Sequence, residues 1–116
     1  MSEHEKQVAG TILNQLGGNR FIVMTGAKHL IYHMHEGNPC LSFQLPKRFA
    51  KDGIDAVRIA LLPSDTYGVV FMKMARNGSS LTTVREFDDV YCDQLREIFT
   101  RTTGLETSLG TLRGVR

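Results

Sequence analysis

Over the first sixteen residues, apolar side chains recur at Val8, Ile12, Leu13 and Leu16. This spacing lines one face of a helix. Ser2 and Glu5 supply the S-x-x-E pattern of a capping box ahead of it. The pattern predicts a helix over Glu3–Leu16, closed by Gly17 and Gly18, because glycine enters the left-handed C-cap conformation with little strain. Beyond the glycines the period falls to two. Residues 20–24 form a β-rich run, 25–28 read as a turn, and 29–35 alternate with Leu30, Tyr32 and Met34 on one face. The sequence Glu36-Gly37-Asn38-Pro39 is a turn signal. Leu41, Phe43 and Leu45 then alternate with Cys40, Ser42 and Gln44, a half-buried strand that Pro46 closes.

Residues 47–53 are basic and irregular, with room for one helical turn. Residues 56–62 predict a strand with Val57, Ile59 and Leu61 inward and Arg58 outward. Residues 63–66 turn the chain, and 67–75 are apolar on both faces, the pattern of a strand covered on two sides. Asn77-Gly78 marks a hairpin, and 81–87 return as a further strand. Asp88 or Asp89 is positioned to cap a second helix, whose stripe is Tyr91, Leu95, Ile98 and Phe99. Gly104 followed by Leu105 matches a Schellman ending. The expectation is an α+β fold: an antiparallel sheet of five or six strands with an N-terminal and a C-terminal helix packed on one face. Residues 1–105 form a single domain, and 106–116, rich in Gly, Thr and Ser, form a flexible C-terminal tail.

Composition fits this picture. The chain has 116 residues, 41% of them hydrophobic and 22% charged, enough for one core without staples. The longest apolar run, 56–62, is broken by Arg58 and falls far short of a membrane span. The polar stretch 1–7 has no signal-peptide character. A cytoplasmic setting without membrane contact is expected. Cys40 and Cys92 lack metal-site spacing and read as two thiols rather than a disulfide.

Candidate chemistry is sparse. The glycines and lysine of residues 17–28 do not form a phosphate loop, since Gly26-Ala27-Lys28 leads into a strand rather than a helix. His33 and His35 share a strand face near His29, with Glu36 and Cys40 nearby, but no fourth metal ligand has recognisable spacing. No serine has a nucleophile motif. Cys92 follows acidic residues, the wrong setting for an activated thiolate. Asp65, Glu86, Asp88 and Asp89 fit turn and capping positions. No catalytic residue, metal or cofactor is assigned, and the chain is expected not to be an enzyme.

The basic residues say more. The net charge of +2 is too small to indicate nucleic acid by itself, so placement matters. Lys47, Arg48 and Lys51 share one loop. Arg58, Lys73 and Arg85 are expected to point away from the core on successive strands, with Arg113 and Arg116 in the tail. Phe49, Tyr32 and Tyr67 are candidates for stacking on bases. Lys47, Arg48, Lys51, Arg58 and Lys73 are therefore the candidate nucleic-acid contacts. Two helices cover only one side of a sheet. Val70, Met72 and Met74, or else Val69 and Phe71, are then expected on the uncovered side, where such a patch would serve a homodimer. The alternative cover for that side is the 47–53 loop or the tail.

Residues 12–21 (ILNQLGGNRF) and 24–28 (MTGAK) resemble a group of small proteins encoded by bacteriophages and prophages. Residues 57–59, 91–96 and 103–107 fit the same resemblance, which runs from Ile12 to Leu109, with 32–39 departing most. It implies a mobile-element origin and the cytoplasm of a bacterial host, and carries over no functional residue. The expected function is a non-enzymatic accessory binding protein contacting nucleic acid or a nucleoprotein complex. The alternative is an anti-defence inhibitor that occupies a host protein surface.

Overall fold

The computed structural model describes residues 3–75 and 77–107, excepting the side chains of residues 3–5. Helix α1 spans Glu3–Leu16, as its apolar spacing predicts, and buries Ala9, Ile12 and Leu16. The Ser2–Glu5 capping box lies outside the described residues.

The run at 20–24 is not a strand. It lies within a second helix, α2, over Asn19–Thr25. Ile22 and Val23 are β-branched and favour strand, but Phe21 and Thr25, one helical turn apart, are both buried. Phe21 meets Phe43 and Phe99 edge-on, each with ring centroids 5.2 Å away. That packing overrides local propensity. Gly26 ends α2 in the left-handed conformation at φ 74°. A Cβ there would stand 2.8 Å from Pro46 Cγ, so this turn needs glycine for space as well as for φ.

Among the described residues five strands follow: β1 (Lys28–His35), β2 (Asn38–Gln44), β3 (Ala56–Leu61), β4 (Tyr67–Met74) and β5 (Leu81–Val90). They form one sheet in chain order, every neighbouring pair antiparallel. Strand β5 continues past Phe87 through Asp88 and Asp89, so neither aspartate caps the last helix. A 3-10 turn at Cys92–Gln94 intervenes, and α3 runs Leu95–Thr103. The turn is held by Tyr91 N–H donating to Gln94 Oε1 at 3.1 Å. Tyr91 therefore leaves the expected helical stripe and is exposed, while Leu95 and Phe99 are buried. The ending at Gly104 is as expected: φ is 78°, and its N–H donates to the Thr100 carbonyl at 2.7 Å.

One core joins α1, α2 and α3 to Leu41, Phe43, Val57, Ile59, Val69 and Phe71, so the helices share one face of the sheet. Val70, Met72 and Met74 project to the other face. There Val70 and Met72 pack with Ala56 and retain only 8% and 7% of their surface. The expected exposed patch is therefore largely covered. Among the described residues, His29 and Ile31 of β1 and Leu81 of β5 line one groove with Met72. Side chains from both edge strands thus border the same groove. The chain also stays packed beyond Leu105. Thr107 is buried, and its hydroxyl accepts from Arg96 Nε at 3.2 Å. The remainder of the expected tail, 108–116, with Arg113 and Arg116, lies outside the described residues.

Candidate nucleic-acid interface

The antiparallel register collects at one end of the sheet the start of β1, the end of β2, the start of β3, the end of β4 and the start of β5. Lys28 lies opposite Gln44, Gln44 opposite Ala56, Ala56 opposite Met72, and Met74 opposite Leu81. From this end departs the loop bearing Lys47, Arg48 and Lys51. Lys73 comes to it from β4: its Cδ and Cε pass 3.3 Å from where a Cβ on Gly53 would stand. The stem of Lys51 runs against Gly104 at the end of α3 in the same way, at 3.1 Å. Lys28 and Lys47 line a small cavity of about 50 Å³ with Asp55 and Met74.

Asp55 organises this end. It is buried. Its backbone carbonyl accepts from Leu45 N–H at 2.9 Å, and its own N–H donates to the Met72 carbonyl at 3.0 Å. Oδ1 accepts from Met74 N–H at 2.8 Å, and Oδ2 from Lys47 Nζ at 3.3 Å. The carboxylate thereby offsets the charge of Lys47, leaving Lys28, Arg48, Lys51 and Lys73 as the stronger cations. Arg48 and Asp52 hold left-handed φ values of 63° and 58°, a strained conformation for non-glycine residues.

Arg58 does not join this cluster. It lies mid-sheet on the face away from the helices, in the row Ile31, Ser42, Arg58, Val70 and Glu86. It lines the groove with His29, Ile31, Met72 and Leu81, about 240 Å³ in volume. Gln44 and Met74 line both this groove and the Lys28–Lys47 cavity, so the two are neighbours. Lys73, unlike Arg58, points to the helix side by strand alternation, and Arg85 stands opposite Phe71. The three are not one surface.

The other end of the sheet is acidic. Glu36 sits in the β1–β2 turn, Asp65 in the β3–β4 turn, Asp88 and Asp89 at the end of β5, and Asp93 just beyond. No Lys or Arg occurs at residues 36–41, 61–67 or 88–95. The near-neutral sum thus conceals an uneven placement: cations outnumber Asp52 and Asp55 at one end of the sheet, and carboxylates predominate in the turns of the other, with Arg96 just beyond at the start of α3.

Among the stacking candidates, Tyr67 is buried and its hydroxyl donates to Gln15 Oε1 at 2.6 Å. Tyr32 is half exposed on edge strand β1, away from the cations. Phe49 alone stands exposed among them, between Arg48 and Lys51. Of the histidines, His33 pairs with Ser42 Oγ at 2.7 Å and lies 3.3 Å from Cys40 Sγ. Among the described residues no three His, Cys, Asp or Glu side chains gather at metal-binding distance. The Cys40–His33 approach has the composition of a nucleophile and base. Cys40, however, is buried, and burial pushes its thiol pKa up, with Arg58 offsetting only part. That environment keeps the thiol protonated. Asp55 and Lys28 escaped sequence reasoning; an aspartate directly before an apolar strand was the available signal for Asp55. Set against family models, curated proteins and solved structures, the chain matches none.

Proposed function

We propose that this chain is a non-enzymatic binding module for single-stranded nucleic acid, held at the basic end and along the Arg58 groove. The observation that carries the reading is the placement of Lys28, Arg48, Lys51 and Lys73 at one end of the sheet, the end that also bounds that groove through Gln44 and Met74. Phosphates would lie on these cations, releasing counterions, and Phe49 offers an aromatic face for a base. A groove that runs over the open face of a sheet suits an extended strand better than a duplex. The acidic opposite end repels a polyanion and so orients the approach. The resemblance of residues 12–21 and 24–28 to phage and prophage proteins supports an accessory role in a bacterial cytoplasm.

Fluorescence anisotropy with a labelled single-stranded oligonucleotide tests this. Affinity should fall steeply between about 50 mM and about 200 mM salt, and Arg48→Ala, Lys51→Ala and Lys73→Ala together should flatten the salt slope by about one for each cation removed. Asp55→Asn should act with the opposite sign. It retains an acceptor for Met74 N–H, releases Lys47 from its counter-charge, and should tighten binding. No anisotropy change at the lowest salt, or an affinity indifferent to salt, contradicts the reading.

A further inference from the structure

The two edges of the sheet are built differently. Edge strand β5 presents Arg85, Glu86, Asp88 and Asp89, and its pairing with β4 shifts register twice. Charges and bulges of this kind discourage a further strand. Edge strand β1 has neither over residues 31–35, which pair with β2 without a shift. Its Ile31, Tyr32 and Met34 are 56%, 44% and 42% exposed, respectively.

The free backbone groups of β1 can be identified. In an antiparallel pair, residues that exchange two hydrogen bonds alternate with residues that exchange none. Met34 stands opposite Pro39, which has no N–H to give. Met34 therefore occupies a non-bonded pair and turns its N–H and C=O outward, away from β2. By alternation Tyr32 does the same.

We propose that a second copy of this chain pairs here, β1 against β1 in antiparallel sense, joining two sheets into one of ten strands. The register that uses all the outward groups within residues 31–35 sets Tyr32 of each copy opposite Met34 of the other. It places the two His33 residues at the two-fold axis and Ile31 opposite His35. Each Tyr32–Met34 pair then buries two half-exposed apolar side chains, and the thioether meets an aromatic ring, a favourable contact. Charge selects the antiparallel sense. Lys28 begins β1 and Glu36 directly follows it, so antiparallel pairing lays the basic end of each copy beside the acidic end of the other. Parallel pairing would bring like ends together. The interface is isologous and closed, as a two-fold dimer requires.

Sedimentation equilibrium decides the matter. The unaltered chain should approach twice its 13.0 kDa mass as its concentration is raised into the tens of micromolar. Met34→Pro removes an N–H that β2 does not use, and proline is tolerated on such an edge. It should sediment at 13.0 kDa with an unchanged far-ultraviolet circular dichroism spectrum. Tyr32→Lys, an edge charge on a half-exposed position, should do the same and decides the question if the proline variant unfolds. A mass of 13.0 kDa at every concentration overturns the proposal. So does a doubled mass that survives in a folded variant.

Discussion

Cys40 and Tyr67 each hide an ionisable group, one on either face of the sheet. Burial is the main cause that raises both pKa values. At Tyr67 the neighbouring Cys92 and Asp65 add to the rise and the Gln15 hydrogen bond opposes it. A raised value means that the folded state holds a proton the unfolded chain would release. The stabilisation is whole below the ordinary values of 9.0 and 10.0. It is lost as pH rises past them through the higher folded-state values. The urea midpoint should therefore fall between about pH 8 and about pH 11, and Cys40→Ala should make the fall shallower. An identical pH dependence in the variant would show that the thiol is not the group involved. Chemically, the same protonation makes the Cys40–His33 approach a packing contact.

The elements differ in how far local sequence controls them. Helix α1 and strand β2 follow their apolar periods because one face of each meets the core. The α3 ending follows from glycine chemistry. Gly104 is left-handed, and a Cβ there would also press on Lys51 Cγ at 3.1 Å. Gly104→Val should cost roughly 1–2 kcal/mol in chemical denaturation. It should also shift Lys51, so that oligonucleotide affinity falls alongside stability. No loss in the melt would contradict the left-handed ending. Helix α2 was not legible, because Ile22 and Val23 carry strand propensity and the deciding contacts, Phe21 on Phe43 and Phe99, join residues far apart in sequence. The start of α3 was missed for a related reason: Asp88 and Asp89 have capping chemistry, yet pairing with β4 draws them into β5. Arg58 facing outward was readable from alternation. The approach of Lys73 to the 47–53 loop and of Lys51 to the end of α3 was not, since Gly53 and Gly104 meet those stems only in the folded chain.

At the scale of the whole molecule, the central feature is charge separation along the strands. A net charge of +2 gives no sign of it, because the sum erases position. Only the meander register sets Lys28, Arg48, Lys51 and Lys73 at one end and Glu36, Asp65, Asp88, Asp89 and Asp93 at the other. Such a field steers a polyanion to one end and leaves the opposite end unoccupied. Amide chemical-shift mapping during titration with a single-stranded oligonucleotide tests this most directly. Shifts should be confined to residues 28–33, 42–53, 56–58, 72–74 and 81, with residues 62–66 and 88–93 unmoved. Shifts centred on the acidic end, or none at low salt, would contradict it.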